Sequence, residues 1–428
     1  MNKTSDIKVG MIGLGYAGFP MASLLSRKFP VTGFDLSEER VKELNSGYDR
    51  CGDVDKKELE NMLKKGVTFT NEIEKLRDCN FYVVVVPTPI DENNHPDVEC
   101  IVSASREVGT VISRGDIVVY ESTVHPGATE EICVPEIEAV SGLKFNEDFF
   151  VGYSPERINP GDKVHTVENT VKITSGSTPE AVELIDNVYQ SVLGQRNTWK
   201  ASSIKVAEAA KVVENSQRDI NIAFINEVAK VLNSMNIDTN EVVDAMDTKW
   251  NALHFRPGLV GGHCISVDPY YLIERAEEHG VDAVLMKTGR MINNSMADYV
   301  VKHCIDLLAA KSKHIPSSRV LLLGFTFKEN CPDVRNTKVN DIYKGFRQHT
   351  DNVDVFDPWA DAALVKRAYG IDLFTEANQI NSQYDAVVLC VAHKNILNLD
   401  VIPQWKTADG FIFDVKGKLP RNVADYRL

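Results

Sequence analysis

The chain has 428 residues, of which 43% are hydrophobic and 25% charged, and its formal net charge is −14. This length predicts two or three domains, since a domain usually holds about 100 to 200 residues. No apolar run approaches the roughly 20 residues that cross a bilayer, and no signal-peptide pattern opens the chain. The negative charge argues against a nucleic-acid or membrane partner.

The eight cysteines are scattered, with no CxxC pair and none of the close Cys and His spacings of a zinc site. The sequence therefore predicts neither disulfides nor a bound metal. We expect a cytoplasmic enzyme or binding protein.

The first 200 residues alternate β-branched runs with helical patterns. The runs are "IKVGMIGLG", "PVTGFDL", "VTFT", "FYVVVVPTP", "DIVVYEST", "FFVGYSP" and "TVKITSG". Such alternation is typical of βαβ units, because each parallel strand needs a crossover helix before the next. It predicts an α/β domain with a doubly wound parallel sheet over residues 1–200.

A glycine motif lies between the first of these runs and a helical pattern that begins near Tyr16. "GLGYAG" places Gly13, Gly15 and Gly18 in GxGxxG spacing. Gly13 permits a tight turn, Gly15 leaves room for a pyrophosphate, and Gly18 lets helix and strand pack closely. A simple glycine turn is the alternative, but the flanking strand and helix favour a dinucleotide site.

The second run ends at Asp35, whose carboxylate is placed to accept hydrogen bonds from both hydroxyls of the adenosine ribose. A 2′-phosphate would be repelled there, so NAD is favoured over NADP, although the cation of Arg40 lies one helical turn further on. The loops "PTP" (87–89) and "ESTVHPG" (121–127) follow the fourth and fifth strand patterns. Because ligands of such sheets bind at the carboxyl ends of the strands, both loops are candidates for cofactor contact.

The central region begins with residues 202–235, which lack Gly and Pro and repeat Ile, Val and Ala at helical spacing. They predict one helix of roughly 50 Å that bridges domains and offers a face for self-association. A second helical stretch is expected near 283–312. Lys211 and Asn215 share one face of the long helix, a pair that in isolation is more often a solvated stripe than a site.

A single thiol, Cys264, lies in the segment "RPGLVGGHCISVDPYY" (256–271). A thiolate is a strong nucleophile, and it could attack an aldehyde. Gly261 and Gly262 would let a substrate approach the sulfur closely. Asp268, four residues further on, could act as a base or orient water. The alternative is a buried structural thiol in a glycine-rich turn.

From residue 316 the alternation resumes with "RVLLLGFTFK", "NVDVFDPW", "YDAVVLCVAH" and "GFIFDVKG". A second, smaller Rossmann-like domain is therefore expected over 316–428, after a central helical domain over 201–315. Lys328 and Arg335 follow its first strand, where cations could hold a diphosphate.

Taken in this order, the motifs resemble those of the nucleotide-sugar 6-dehydrogenase family, the UDP-glucose/GDP-mannose dehydrogenases, over nearly the whole chain. The shared patterns are GxGYxG, STVxPG, the PE of "SPERINPGD", KxxxN, GGxC with an Asp four residues on, and FKxxxxDxR. The resemblance implies an enzyme that oxidises the primary alcohol of a sugar twice with two NAD, and a C-terminal domain that holds the UDP part of the substrate.

The resemblance also implies roles for individual residues. Cys264 is then the nucleophile, and Lys211 and Asn215 steady the oxyanion at C6. Asp268, with Thr123 and Glu156, serves proton transfer and the hydrolytic water. The implied cofactor contacts are Gly13, Gly15, Tyr16, Gly18, Asp35, Arg40, Thr88, Thr123 and Arg335. The implied substrate contacts are Glu156, Arg157, Lys211, Asn215, Arg256, Gly261 and Lys328, of which Lys328 meets the UDP part.

The segment around the thiol bears on the sugar. UDP-glucose enzymes typically read "GGxCFxKD", whereas "GGHCISVDPYYL" is similar to the branch that acts on UDP-N-acetylhexosamines. The approach "WNALHFRPGLVGGHC" resembles its UDP-GlcNAc and UDP-GalNAc members, although Ser266 stands where Gly is more usual. UDP-N-acetylmannosamine and UDP-glucose are the nearest alternatives. The likeness implies a role in capsule or surface-polysaccharide synthesis.

Two other functions compete with this interpretation. A one-step β-hydroxyacid dehydrogenase also joins a Rossmann domain to a long-helix domain and uses a helix lysine, but it needs neither Cys264 nor a second α/β domain. A non-catalytic protein that binds NAD or a nucleotide sugar and regulates a partner would not need the set of Cys264, Lys211, Asn215 and Asp268.

Overall fold

The computed structural model describes residues 3–52, 54–157, 168–194 and 197–428. The "SPERINPGD" motif is described only as far as Arg157, and the rest of it lies outside these residues. The chain divides into two compact units, Met1–Glu214 with Tyr270–Val281 and Asn215–Pro269 with Asp282–Leu428. Two helices begin in one unit and end in the other.

The first unit is built on a six-stranded parallel sheet in the order β3-β2-β1-β4-β5-β6. Its strands are β1 Val9–Ile12, β2 Val31–Phe34, β3 Thr68–Thr70, β4 Phe81–Val84, β5 Ile117–Tyr120 and β6 Phe150–Tyr153. This confirms the doubly wound sheet predicted from the first six apolar runs. The seventh run lies elsewhere: β7 Lys172–Thr174 pairs with β8 Thr198–Lys200 in a separate two-stranded sheet.

The sheet is covered on both faces, which explains why its central strands β1, β4 and β5 are buried at every position without alternation. In β4, Phe81 and Val83 belong to one buried cluster, whereas Tyr82 and Val84 belong to another. The helices before the long central one are α1 Gly18–Leu25, α2 Glu38–Asn45, α3 Lys56–Lys64, α4 Glu99–Val111, α5 Val134–Ser141 and α6 Pro179–Leu193. Helix α1 begins two residues later than the pattern near Tyr16 predicts.

The central helices follow the prediction closely. Helix α7 runs over 31 residues, Ile204–Ser234, and the stretch expected at 283–312 divides at Ser295 into two helices. The helices after α7 are α8 Thr239–Asp247, α9 Asp268–Glu278, α10 Val284–Asn294, α11 Met296–Ala310, α12 Val339–Arg347, α13 Ala362–Tyr369 and α14 Lys394–Leu397. No helix in the described part of the chain combines the length and apolar character that a bilayer crossing requires.

The second unit contains another six-stranded parallel sheet, in the order β11-β10-β9-β12-β13-β14. Its strands are β9 Val320–Leu323, β10 Val353–Phe356, β11 Leu373–Phe374, β12 Tyr384–Leu389, β13 Lys406–Asp414 and β14 Tyr426–Arg427. The four longer strands are the four predicted runs. The two edge strands have two residues each, too few to produce a periodic pattern.

A buried carboxylate joins α7 to the "ESTVHPG" loop within the first unit. Glu208 is 0% exposed, and its Oε2 and Oε1 accept hydrogen bonds from the backbone N–H groups of Gly127 (2.6 Å) and Thr129 (2.9 Å). Thr129 opens the helical turn before α5, so the carboxylate lies at the start of a helix. Burial nevertheless dominates and raises the pKa of Glu208 to about 7.

Stability should therefore depend on pH through Glu208. A carboxyl group with a raised folded-state pKa stabilises the fold most when it is protonated, and this contribution is lost as pH rises from about 4.5 through about 7. We expect the free energy of unfolding of the wild type, relative to Glu208→Gln, to fall by about 3 kcal/mol between pH 5 and pH 8. Urea unfolding across that range measures the difference.

The matched control is Glu227→Gln, an exposed glutamate of the same helix. Its difference from the wild type should stay constant across the pH range. Parallel pH profiles for wild type and Glu208→Gln would contradict the role given to burial.

Candidate active site

The glycine loop after β1 has the shape that a dinucleotide needs. Gly13 has φ +91°, and a Cβ there would lie 2.1 Å from the Val85 carbonyl oxygen. A Cβ on Gly18 would lie 2.0 Å from the carbonyl oxygen of Gly13. A Cβ on Gly15, in contrast, would meet no atom within 4 Å. The fold therefore requires Gly13 and Gly18, whereas Gly15 keeps open the space that a pyrophosphate would fill.

Asp35 is held directly after β2 by two backbone hydrogen bonds. Its Oδ2 accepts a hydrogen bond from Leu14 N–H (2.9 Å) and its Oδ1 from Ser37 N–H (2.8 Å). It lines a cavity of about 340 Å³ whose other wall is α4, including Glu99 and Glu107. The lining contains three carboxylates and no cation, which fits NAD and disfavours an added 2′-phosphate. The α4 wall was not identified from the sequence.

Arg40 donates a hydrogen bond to the backbone of the glycine loop. Its Nε donates to the Leu14 carbonyl oxygen (2.9 Å), and its Nη1 lies 2.8 Å from Asp49 Oδ1. The guanidinium also lies over the ring of Phe19, and the residue is only 6% exposed. These surroundings give no support to a direct cofactor contact, because the side chain is engaged beneath the loop.

The two loops that follow β4 and β5 are joined by one hydroxyl. Ser122 Oγ accepts from Val86 N–H (2.9 Å) and donates to the Val86 carbonyl oxygen (2.7 Å). Thr88 and Thr123, each partly exposed, are the neighbouring residues of these two loops that the sequence singled out. The bond fixes the spacing of the loops at the carboxyl edge of the sheet, where a cofactor binds.

A buried ion pair beneath these loops was missed in the sequence. Lys172 Nζ lies 3.0 Å from Glu121 Oε2, with both side chains almost fully buried. Tyr189 donates its hydroxyl to the other carboxylate oxygen, and Lys172 also lies within hydrogen-bond reach of the Ser154 and Pro155 carbonyl oxygens. Glu121 precedes the Thr123 loop and Pro155 precedes Glu156, so one network supports both. The signal that the sequence offered was a charged residue next to apolar ones, Glu121 in "DIVVYEST" and Lys172 in "TVKITSG".

The second unit holds Cys264 at the start of a helix. The Cys264 carbonyl oxygen accepts from the N–H groups of Val267 (3.0 Å) and Asp268 (2.8 Å), and α9 follows directly. The side chain of Asp268 accepts a hydrogen bond from Asn215 Nδ2 (2.6 Å). Asn215 and Asp268 are 8% and 1% exposed, and Lys211, one turn earlier on α7, is 8% exposed. Lys211 and Asn215 are thus not a solvated stripe.

The glycine pair before the thiol packs closely against the loop after β9. A Cβ on Gly261 would lie 2.6 Å from the Asn336 carbonyl oxygen, and a Cβ on Gly262 would lie 2.7 Å from the Phe327 ring. Gly262 also has φ +88°. The side on which each glycine would carry a Cβ is therefore occupied by the loop after β9, and the approach of substrate to the sulfur at these residues stays a prediction.

Several predicted cations are engaged with carboxylates. Arg256 Nη2 lies 2.6 Å from Asp244 Oδ1, and Arg157 Nη2 lies 2.9 Å from Glu214 Oε2. Each of these ion pairs lies within one unit, the Arg256 pair in the second and the Arg157 pair in the first. Two further cations, Lys328 and Arg335, follow β9, where Lys328 is partly exposed and Arg335 pairs with a neighbouring aspartate. Among the described residues, no group of three or more His, Cys, Asp or Glu side chains is placed to hold a metal ion.

The chain matches one protein family along nearly its whole length. The NAD binding domain of the UDP-glucose/GDP-mannose dehydrogenase family matches residues 7–193, the central domain matches 205–295, and the UDP binding domain matches 321–421. The match includes every motif on which the resemblance was based.

Individual relatives agree with this assignment. The chain is 49% identical to UDP-N-acetyl-D-glucosamine 6-dehydrogenase of Pseudomonas aeruginosa, over 99% of this chain and 100% of that protein. It is 48% identical to Protein CapL of Staphylococcus aureus, over 96% of this chain and 95% of that one. The structure of a UDP-D-ManNAc dehydrogenase from Pyrococcus horikoshii matches with a TM-score of 0.89 at 26% identity, covering 98% of both chains. The chain therefore belongs to the UDP-glucose/GDP-mannose dehydrogenase family and is an NAD-dependent oxidoreductase.

Proposed function

We propose that the chain oxidises the C6 hydroxymethyl group of a UDP-N-acetylhexosamine, UDP-GlcNAc or UDP-GalNAc, to the uronate. The observation that carries this proposal is the 49% identity to a UDP-N-acetyl-D-glucosamine 6-dehydrogenase along the whole chain, together with the Cys264 turn at the start of α9. The reaction consumes two NAD and one water. NAD, when bound, accepts one hydride from C6 in each oxidation.

Cys264 makes the second oxidation possible. The first oxidation leaves an aldehyde at C6, and the thiolate adds to it to form a thiohemiacetal. Oxidation of that adduct gives a thioester, which water cleaves to release the acid and free the thiol. Cys264 is partly exposed and lies in the turn before α9, so a substrate can reach this residue.

We assign stabilisation of the negatively charged oxygen at C6 to Lys211 and Asn215. The amide nitrogen of Asn215 carries two hydrogens, one of which is donated to Asp268, and the other is assigned to the C6 oxygen. A fixed ammonium and a fixed amide can lower a barrier by several kcal/mol when they need not reorganise. Asp268, with Thr123 and Glu156, is assigned to proton transfer and to positioning of the hydrolytic water.

The remaining site residues divide into cofactor contacts and substrate contacts. We propose that Gly13, Gly15, Tyr16, Gly18, Asp35, Thr88, Thr123 and Arg335 contact the cofactor, and that Arg40 acts through the Leu14 backbone. We propose that Glu156, Arg157, Arg256 and Lys328 contact the substrate, with Lys328 at the UDP end. Gly261 shapes the loop that presents Cys264.

We also propose a domain organisation and a cellular role for the chain. The domains are an NAD domain at 1–200, a central helical domain at 201–315 and a UDP-sugar domain at 316–428. No disulfide joins any two of the eight cysteines, all of which the structure describes, and this fits the reducing cytoplasm. Supply of a uronate for capsule or surface-polysaccharide synthesis is the proposed role, supported by the 48% identity to Protein CapL.

We propose a homodimer or a higher homo-oligomer formed through the central helices. Phe224, Trp250 and Leu253 are 60%, 91% and 70% exposed, and a groove of about 480 Å³ is lined by Phe224, Met246 and Leu253 among others. Large apolar side chains concentrated in one region typically mark an interaction surface. A second copy of the chain is the occupant that the long helix suggested from the sequence.

The substrate assignment predicts which UDP-sugar is oxidised best and how many NADH form for each uronate. With NAD and UDP-GlcNAc, UDP-GalNAc, UDP-N-acetylmannosamine or UDP-glucose, the best substrate should be an N-acetylglucosamine or N-acetylgalactosamine sugar that yields two NADH per uronate. Absorbance at 340 nm and product mass measure both quantities. One NADH per sugar would favour the one-step dehydrogenase, and NADH formation from none of the four sugars would favour a binding protein.

Replacement of the nucleophile should separate cofactor binding from turnover. We expect Cys264→Ser to reduce uronate formation at least about 1000-fold, because a serine hydroxyl is too weakly acidic to form the adduct readily. Its NAD affinity, measured by calorimetry, should equal that of the wild type. Cys51→Ser, at an exposed thiol of the first unit, is the control and should retain full activity. Unchanged turnover in Cys264→Ser would remove the proposed mechanism.

The proposed dimer surface can be broken with one charge. Phe224→Glu places a carboxylate in the apolar groove, so we expect it to raise the dimer dissociation constant at least about tenfold, since burying an unpaired charge is costly. Sedimentation velocity over a concentration series measures this change. Val281→Glu, which is 59% exposed and lies in the first unit, should leave association unaltered. Equal effects of both variants, or none, would place the interface elsewhere.

A further inference from the structure

The peptide of Gly262, two residues before Cys264, is held by three hydrogen bonds within the second unit. Asn336 Nδ2 donates to the Gly262 carbonyl oxygen (3.1 Å), and Gly262 N–H donates to the Asn336 carbonyl oxygen (3.3 Å). Ser266 Oγ donates to the same Gly262 oxygen (2.6 Å). Asn336 follows Arg335 in the loop after β9, so this loop and the Cys264 turn are joined at one peptide.

The local backbone is specific for this contact. Gly262 has φ +88° and Asn336 has φ +51°, both in the left-handed region. Glycine enters that region freely, and asparagine does so more readily than most residues. Gly261 lets the Asn336 carbonyl approach, since a Cβ at that position would lie 2.6 Å from its oxygen. The residue types on both sides of the contact are therefore those that the geometry requires.

A second contact joins the same two segments. His263 Nε2 lies 3.2 Å from Asp333 Oδ2, and the His263 ring meets the Phe327 ring edge-on at 6.0 Å. Burial alone would raise the pKa of Asp333, but hydrogen bonds from His263 and Arg335 outweigh it and hold that pKa well below its usual range. Asp333 is thus a carboxylate that can orient the imidazole of the residue before Cys264.

We propose that Asn336, with Ser266, is a positioning residue for the nucleophile, fixing the Gly262 peptide so that the Cys264 turn presents its sulfur in the orientation needed to attack the aldehyde. This inference rests on the proposed function of Cys264. The same loop carries Lys328, to which the nucleotide end of the substrate is assigned. The segment that receives the nucleotide therefore also sets the position of the thiol.

The two oxidations distinguish positioning from general stability. Conversion of the alcohol to the aldehyde forms no bond to sulfur, whereas conversion of the aldehyde to the acid requires the S–C6 bond. Loss of positioning should slow the second oxidation more than the first. Loss of the fold would slow both equally.

The main test is Asn336→Asp, which keeps the size of the side chain and tolerance of a positive φ but replaces the donor with a carboxylate oxygen facing the Gly262 carbonyl. Rapid quench with the best UDP-sugar should show the first oxidation within about threefold of wild type. The second should be at least about tenfold slower, with free aldehyde accumulating as a hydroxylamine-trapped oxime. Asn381→Asp, an exposed asparagine of the same unit, should leave both rates unchanged. A decrease of the same factor in both oxidations, or in neither, would overturn the proposal.

A second measurement does not depend on turnover. Iodoacetamide labelling, read by peptide mass spectrometry, should be at least about threefold faster at Cys264 in Asn336→Asp and in Ser266→Ala, because a loosened turn exposes the sulfur. Labelling of exposed Cys51 should stay constant, and buried Cys133 should stay unlabelled unless the protein unfolds.

These outcomes separate the two proposals. If the wild type oxidises no UDP-sugar, the proposed function fails, yet the labelling rates still report whether Asn336 and Ser266 hold the turn. Unchanged labelling of Cys264 in both folded variants would overturn the inference whatever the activity.

Discussion

The hydrogen bond from Asn215 to Asp268 (2.6 Å) ties the long helix to the helix that begins just after the thiol. Both side chains are nearly inaccessible to water, and a buried polar group that loses its partner costs about 1 to 3 kcal/mol. The bond is therefore a strong constraint on where α9 starts. Because the Cys264 carbonyl oxygen accepts hydrogen bonds from the N–H groups of Val267 and Asp268, the same constraint helps to fix the turn that carries the proposed nucleophile.

The sequence predicted the strands and the motifs because both are local. An apolar run such as the one ending at Ile12, followed by spaced glycines, requires no distant contact to be recognised. The long helix was similarly visible, from the absence of Gly and Pro over 202–235. Family resemblance then supplied roles that spacing alone left open, such as those of Lys211 and Asn215.

What the sequence did not predict depends on pairs far apart in the chain. Glu121 and Lys172 are separated by 51 positions, and neither run shows that the two charges meet beneath the cofactor loops. Arg40 was read as a possible cofactor contact because its depth beneath the glycine loop depends on Asp49 and Phe19. The contacts of Gly261 with Asn336 and of Gly262 with Phe327 were likewise not predicted, since a glycine pair does not reveal which neighbour packs against it.

The two sheets share a strand order, and each has an aspartate directly after its second strand, Asp35 after β2 and Asp357 after β10. The surroundings of these two carboxylates differ. Gly324 has φ +86° after β9, as Gly13 has φ +91° after β1. Asp35 keeps a partly exposed carboxylate beside a cavity, whereas Asp357 is fully buried and pairs with His393 (3.0 Å). The carboxylate after the second strand of each sheet therefore has a different environment: Asp35 lies beside a cavity, whereas Asp357 is engaged within the core.

The α4 wall of the cavity beside Asp35, which we propose holds the dinucleotide, carries an exposed thiol, Cys100. An electrophile designed against the proposed nucleophile would meet this second sulfur as well, in the cavity to which we assign the adenosine end of the dinucleotide. Such a compound could silence the protein by obstructing the cofactor without ever reacting at the sugar-oxidising centre. Saturating dinucleotide would shield that sulfur, so its presence during inhibition tells apart the two routes to an inactive protein.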